Sequence, residues 1–180
     1  QDARYTTQGN IVSTVDQSIQ LGDGGWGIMA STDMFKVVKR ATFFASGIYL
    51  SNPQETNGVR TGRSRASEAI MSIPDQYLVQ AGVTHPIPKS KHFAVSIGGR
   101  MEGIPVRDIF GSSLGFRRPG YVISLDPGVV YVHGRNMLSL NVPVPLERNR
   151  RRSTSDIIDR RHGDAAFADY LLILSYSRSF

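Results

Sequence analysis

Polar side chains recur at alternate positions along several apolar stretches of the sequence. Because successive side chains of a β-strand point to opposite faces, these residues are predicted to share one face of a sheet. In a closed barrel that face lines the lumen, so we expect them to line an aqueous path or to hold a plug. The predicted pore-lining residues are Gln80, Thr84, Ser96, Arg100, Glu102, Ser124, Asp126 and Asn141.

Arg100 and Glu102 are opposite charges two positions apart in this set. On a strand they would lie on the same face, where they could set a local field in the pore. The alternative is that each pairs with a charge on a neighbouring strand and only stiffens the wall.

Arginines are concentrated in three polar segments between the apolar stretches. Guanidinium groups pair bidentately with phosphates, which predicts lipopolysaccharide phosphate or anionic solutes as partners. The alternative is a solvated surface, partly balanced by Glu147, Asp156, Asp159 and Asp164. Nucleic acid is not expected, because the run 150–152 has no interleaved aromatic residue on which bases could stack. The predicted basic outer rim consists of Arg60, Arg63, Arg65, Arg107, Arg117, Arg118, Arg148, Arg150, Arg151 and Arg152.

Catalytic chemistry has little support in the sequence. The chain has no cysteine, and its four histidines do not show the spacing of metal ligands. His162 and Asp164 lie close together in one polar segment, with Ser153 and Ser155 nearby, so a barrel hydrolase is the alternative. We expect no enzymatic activity, no cofactor and no metal.

Length and composition restrict the class of protein. A chain of 180 residues with 40% hydrophobic content fits one folded domain. Its longest apolar run has about five residues, against the ~20 of a membrane-spanning helix, which excludes helical membrane proteins. The net charge of +6 suits an anionic partner of some kind. Because the chain begins with Gln1, we expect a processed chain or a segment of a longer one.

Alternation of apolar and polar residues predicts an all-β fold. Most predicted strands have 11 to 15 residues, enough to cross a bilayer at a tilt, which takes ~9–11 residues. Pro127 and Gly128 interrupt the fifth strand; a bulge or an edge position would accommodate them, and a hairpin at 126–128 is the competing interpretation. The seven predicted strands cover roughly 25–35, 40–51, 75–86, 91–104, 119–133, 136–147 and 168–180.

The connections between these strands alternate between short and long, which is typical of an outer-membrane barrel with short periplasmic turns and long outer loops. Aromatic residues near the strand ends favour two interfacial girdles. Seven strands do not close a single-chain bacterial barrel, which has an even number. We therefore expect the C-terminal part of a longer barrel, with residues 1–24 as an N-terminal loop. Alternatively, residues 5–18 supply an eighth strand to a small closed barrel.

The last segment, residues 170–180, resembles the C-terminal insertion signal of bacterial outer-membrane β-barrels. That signal carries apolar residues at alternate positions before a final aromatic residue, and the barrel-assembly machinery recognises it. Arg178 departs from the pattern, because that position more often carries an aromatic or apolar residue. The matching residues are Leu172, Leu174, Tyr176 and Phe180.

Four further stretches, 24–27, 94–108, 116–121 and 161–165, resemble a family of outer-membrane transporters labelled after a phenol-degradation pathway. That family is loosely similar to long-chain fatty-acid channels, and its members are longer than this chain. The resemblance covers residues 22–180. It implies passive uptake or export of small apolar molecules and assigns no role to any residue.

The sequence therefore predicts a transmembrane, antiparallel, up-and-down β-barrel in the bacterial outer membrane. We expect it to act as a channel or transporter for small apolar or anionic solutes, in contact with outer-membrane lipid. One alternative is a structural barrel that serves as a scaffold for partner proteins in an envelope complex. The other is a soluble β-sandwich or lipocalin-like binding protein with a basic rim.

Overall fold

The computed structural model describes residues 4–7, 11–14, 24–63, 65–163 and 167–180. It is 57% strand and 5% helix, which confirms the predicted all-β class. Among these residues, no helix combines the length and the apolar character needed to span a membrane. The strands are β1 Arg4–Thr7, β2 Ile11–Thr14, β3 Ile28–Val38, β4 Ala41–Ser51, β5 Thr56–Arg60, β6 Ile70–Ser72, β7 Gln76–Pro86, β8 Phe93–Ile104, β9 Gly120–His133, β10 Asn136–Asn141, β11 Val144–Arg150 and β12 Ile173–Arg178.

Eight of these strands form one antiparallel sheet that curls into a half-barrel. Its order is β12-β10-β9-β8-β7-β4-β3, and β11 pairs with β9 beyond the end of β10. Each strand lies beside its neighbour in the sequence, apart from the short strands within the long loops. The up-and-down topology is therefore as predicted. Strands β1 and β2 pair only with each other, so the described part of residues 5–18 adds no strand to the large sheet.

The alternation of short and long connections is also present in the structure. Residues 39–40, 87–92 and 134–135 form the short turns, and all three lie at one end of the sheet. The long loops at the other end cover 52–75, 105–119 and 151–172. They contain β5, β6, a short 3-10 turn at Ala66–Glu68 and the helix α1, Thr154–Ile158.

The fifth predicted strand is continuous through Pro127, so the hairpin interpretation is wrong. Pro127 faces Ile97 of β8 on one side. On its other side the neighbouring strand is interrupted between β10 and β11, where the Val142 amide donates to the Pro127 carbonyl at 3.0 Å. Proline has no amide hydrogen to offer a neighbouring strand, and the interruption removes the need for one. The predicted strand 136–147 is therefore two strands, separated at Val142 and Pro143.

The predicted last strand, 168–180, is shortened to β12. Phe167, Ala168 and Leu171 instead lie against the inner surface of the sheet, beside β9 and the end of β8. A phenylalanine fits there because Gly120 leaves room; a Cβ added to Gly120 would lie 2.7 Å from the Phe167 ring.

The two faces of the half-barrel differ sharply in chemistry. The convex face is almost entirely apolar and solvent-exposed: Val79, Ile97 and Leu140 are 55%, 48% and 42% exposed. The concave face carries polar, small and apolar residues in separate zones. Strand periodicity alone accounts for this division, since odd and even positions of each strand point to opposite faces.

Aromatic residues border the apolar band of the convex face at both ends. At the loop end, Tyr49 pairs with Tyr77, and Tyr121 lies in the same row two strands further on. At the short-turn end, Phe93 pairs with Tyr131 with ring centroids 5.0 Å apart, and Tyr176 lies two strands beyond Tyr131. The structure thus has two aromatic rows, one at each edge of the apolar band.

The best-buried residues lie in the long loops rather than in the sheet. Ile73 is fully buried, and Val59 and Phe116 are nearly so. β6 is linked to the second loop by amide–carbonyl bonds between Phe116 and both Ile70 and Ser72. The helix α1 joins the same cluster, because Ser155 Oγ donates to the Gly115 carbonyl at 2.9 Å. We call this packed assembly of the three long loops the loop cap.

Candidate functional site on the concave face

The concave face holds all eight residues predicted to line a pore. Strand register places them together: Gln80 faces Arg100, which faces Ser124, and Thr84 faces Ser96 on the next strand. Asn141 lies opposite Gly128, two residues beyond Asp126 on the same face of β9. Sequence alternation alone therefore assembled the set correctly on one surface; its role in conduction remains a prediction.

Arg100 and Glu102 form an ion pair with each other rather than with neighbouring strands. Arg100 Nη2 lies 2.6 Å from Glu102 Oε2, and both side chains are largely buried. The Nε of Arg100 is buried and has no hydrogen-bond partner. The charges thus neutralise one another locally while Arg100 keeps a donor on the concave side.

Asp126 supplies a third charge to this surface. It is 5% exposed, and Asn141 Nδ2 donates to its Oδ1 at 3.2 Å. Gly82 and Gly128 occupy concave positions near it, and their missing side chains make room for Phe44 at Gly82 and for Ser96 and Asn141 at Gly128. A cavity of about 540 Å³ lies here, with a mainly polar lining that includes Gln80, Ser96, Arg100, Asp126, Ser139 and Asn141.

A second cavity, of about 650 Å³, lies nearer the loop end and is mainly apolar. Its walls include Leu50, Leu78, Val122 and Pro145 from the sheet. Leu171, next to the loop cap, closes one side. Both volumes fall in the range of small-molecule sites, ~300–1,000 Å³. Sequence reasoning missed the apolar cavity, because it assigned 168–172 to a strand and treated every concave position as polar.

The predicted basic outer rim is only partly a solvated surface. Arg117 is 2% exposed, so assigning it to the rim was wrong. Arg63 and Arg118 both place their guanidinium groups over the ring of Phe116, at 3.8 and 5.3 Å. The exposed members are Arg60, Arg65, Arg107, Arg148, Arg150, Arg151 and Arg152.

Two of these exposed arginines are paired with acidic residues. Arg148 lies 3.3 Å from Asp169, and Arg65 lies 3.9 Å from Asp159. The loop end therefore mixes both signs of charge, as the alternative interpretation of a balanced surface requires.

Arg117 is buried because it holds the loop cap together. Its guanidinium forms a bidentate pair with Asp108, with Nη1 at 2.9 Å from Oδ1, and it also donates to Ser72 Oγ. Asp108 Oδ1 in turn accepts the Asp75 amide at 2.9 Å. Bidentate arginine–carboxylate pairs are strong and geometrically specific, so this pair fixes the two ends of the second loop to each other. The bonds to Ser72 and to the Asp75 amide then fix the second loop against the first.

Asp75 is the other acidic centre of the loop cap and is fully buried. Its carboxylate accepts three hydrogen bonds: from the Asn52 amide at 2.7 Å, the Tyr49 hydroxyl at 2.8 Å and the Ile109 amide at 3.0 Å. Because all these donors are internal, the cluster is structural. The sequence offered no periodic signal for it, since its members are spread over three segments.

Glu55 makes an exposed contact across two loops. Its carboxylate accepts hydrogen bonds from both the amide and the hydroxyl of Ser112, the latter at 2.6 Å. These bonds favour the ionised form and hold the pKa of Glu55 below its ordinary value.

The hydrolase alternative has no assembled site among the described residues. Ser153 caps α1 in a capping box with Asp156, and Ser155 donates to the carbonyls of Ser67 and Gly115. Both serines are therefore engaged in structure. Asp164 lies outside the described residues. Within the described part of the chain, no group of three or more histidine, aspartate or glutamate side chains is placed to hold a metal ion.

The residues of the predicted assembly signal are divided by the end of β12. Leu174 and Tyr176 lie on the convex face, opposite Leu140 and Leu138 of β10. Leu172 precedes the strand, and Phe180 follows it with its side chain fully exposed.

Comparison with known proteins gives no match. No family model, curated protein or solved structure is similar to the chain. The resemblance to an outer-membrane transporter family therefore stays a prediction, and we infer the function from the geometry of the sheet.

Proposed function

We propose that this chain forms one side of an outer-membrane β-barrel that conducts small solutes along its concave face, without covalent chemistry. The observation that carries this proposal is the apolar convex face bounded by aromatic rows at both ends. Soluble proteins rarely expose contiguous apolar patches larger than a few hundred Å². A face of this kind suits contact with lipid.

The height of the apolar band supports the same conclusion. Tyr121 and Tyr131 mark its two ends on β9 and lie ten positions apart. At about 3.4 Å per residue and a tilt of about 40°, this length spans about 26 Å, close to the ~25 Å band of outer-membrane barrels.

A membrane barrel also requires the two open edges of this sheet to be joined by further strands. All neighbouring strands across the seven positions from β12 to β3 are antiparallel, so the two edge strands run in the same direction. Unpaired backbone groups cannot face lipid, which makes closure necessary in a membrane. Closing the ring with antiparallel pairs then takes an odd number of additional strands, giving the even total found in such barrels.

The lumen would offer a solute two zones in sequence. The apolar cavity lies beneath the loop cap, and the polar cavity lies nearer the short turns. Small molecules with an apolar part and a hydrogen-bonding group fit this order. The adjacent Arg100 and Glu102 charges nearly cancel and Asp126 adds one negative charge, so we propose weak cation selectivity in the native channel.

The first test compares native envelope extract on a denaturing gel with and without boiling. A folded barrel keeps its structure in the cold detergent and shifts in mobility on boiling. Unboiled protein from a preparation that shows this shift is then reconstituted for conductance in a planar bilayer. Arg100→Gln leaves Glu102 uncompensated and should make the channel more cation-selective. A protein that is found unshifted in the soluble fraction would contradict the barrel, whereas a barrel without conductance would favour a scaffold.

A further inference from the structure

The net positive charge of the chain is concentrated at the short-turn end of the sheet. All four lysines of the sequence lie there, together with three arginines, and all seven side chains are exposed. We call this group the short-turn rim; it consists of Lys36, Lys39, Arg40, Lys89, Lys91, Arg135 and Arg178.

No acidic residue accompanies the short-turn rim. The segments 34–45, 84–96, 129–137 and 173–180 contain neither aspartate nor glutamate. Elsewhere, the remaining 14 basic residues are offset by the chain's 15 acidic residues, so the net charge of +6 arises at this end. Among the described residues, the ion pairs all lie in the loop cap or on the concave face. Within the part of the chain that the structure describes, no acidic side chain pairs with a charge of the short-turn rim.

The backbone of the short turns shows that two of these lysines occupy positions better suited to glycine. Lys39 has φ of +56° and Lys89 has φ of +66°. In the third short turn a glycine, Gly134, takes this conformation at φ of +59°. Left-handed φ values are strained for residues with a Cβ and free of strain for glycine. Lysine at positions 39 and 89 therefore costs conformational free energy that glycine would not. A turn that served only to connect two strands would avoid this cost.

The short-turn rim also follows the border of the apolar band. Six of its seven members lie in the three turns and the C-terminal strand, just beyond the aromatic row of Phe93, Tyr131 and Tyr176, and Lys36 lies near the end of β3, opposite Phe43. Its charges thus form an arc along the boundary rather than one convergent pocket. An arc of cations beside an aromatic row matches the depth and the shape of a lipid headgroup layer.

We propose that the short-turn rim binds the phosphates of anionic phospholipids in the leaflet that meets the short turns. Lysine ammonium groups reach the phosphates from the turns, while the aromatic row fixes the depth of the sheet in the bilayer. This inference rests on the proposed membrane barrel. An acidic protein partner would be met better by a compact patch, so it is an outcome of the test rather than the proposal.

The test uses the full-length protein reconstituted in vesicles of phosphatidylcholine and phosphatidylglycerol, with spin-labelled lipids of each kind. Electron paramagnetic resonance gives the relative association of the two lipids with the protein surface. One lysine or arginine at an anionic surface changes the association constant by about fivefold. The measured lipid ratio is smaller, because it averages over lipid positions that contact no charged side chain. We expect the wild-type ratio of phosphatidylglycerol to phosphatidylcholine to exceed about two and to fall in high salt.

The deciding variant is Lys39→Gly with Lys89→Gly, which removes two charges and relieves both strained turns. It should fold at least as well as the wild type, as judged by the boiling shift, and lower the lipid ratio toward one. The matched control, Arg160→Gln with Arg161→Gln, removes two exposed charges of the third long loop that do not belong to the predicted basic outer rim, and it should leave the ratio unchanged.

An unchanged lipid ratio in the lysine variant would overturn the proposal. If, in addition, the wild type binds polyglutamate and the lysine variant does not, the rim would instead bind an acidic protein. Failure of the barrel itself has a different signature, because the protein would then be extracted from vesicles by carbonate. In that case flotation with phosphatidylglycerol vesicles tests the rim alone, and absence of binding would refute it too.

Discussion

Replacing Ile97 by arginine tests whether the convex face contacts lipid or water. Ile97 is 48% exposed and lies on β8 between the aromatic row at Phe93 and the loop-end row near Gly103, so it occupies the middle of the apolar band. Arginine at the midplane of a membrane barrel costs about 2–4 kcal/mol. That cost lowers the folding equilibrium constant about 30- to 700-fold.

The assay is equilibrium unfolding in urea with the protein inserted in lipid vesicles. The matched control is Ile109→Arg, which makes the same change at a residue 62% exposed in the second long loop, outside the band. We expect the control to change the free energy of unfolding by no more than about 0.5 kcal/mol, as exposed substitutions usually do. If Ile97→Arg were equally neutral, the convex face would be solvated and the membrane argument would be refuted.

Two further predictions concern the loop cap. Arg117→Met should destabilise the loop cap by about 3–5 kcal/mol, because Asp108 is left as a buried charge without its partner. The measurement is the protease resistance of the loops, and Arg150→Met is the exposed control. An equal effect of the two substitutions would contradict this reasoning. The hydrogen bonds from Ser112 lower the pKa of Glu55. The ionised Glu55 therefore stabilises the contact between the two loops at pH values above the ordinary glutamate pKa, and this stabilisation is lost as pH falls through the lowered pKa. Ser112→Ala should raise that pKa and move loop opening to higher pH, which proteolysis of the first long loop as a function of pH would show; an unchanged profile would count against it.

The sheet was predictable because the side chains of a strand alternate between its two faces, so that apolar and polar residues recur in the sequence with a period of two. That period placed the concave residues from Gln80 to Asn141 on one surface and located the three short turns. It failed where a local contact overrides it. Pro143 divides one predicted strand, and Phe167, packed over Gly120, belongs to a segment that lies on the inner wall instead of joining β12.

The loop cap could not be predicted in the same way. Its central contacts, such as Arg117 with Asp108 and Asp75 with the Asn52 amide, join residues 9 and 23 positions apart with no repeating pattern. Arginine in a polar loop looks like surface in a sequence, and only the partner reveals that Arg117 is buried. For the same reason, counting arginines overstated the charge of the loop end.

The distribution of burial separates two sources of stability in this chain. The loop cap has its own core around Ile73 and Phe116, satisfied by internal hydrogen bonds, so its order depends on contacts within the chain. The sheet buries little on its convex face, and among the described residues both of its edge strands are unpaired, so the order of the sheet must come from strand pairing and from its surroundings. A half-barrel with an apolar exterior is stable only where the exterior is covered and the ring is closed. The proposed contact with an anionic layer would also account for the placement of charge, since it gives a role to the lysines in strained turns at one border of the apolar band.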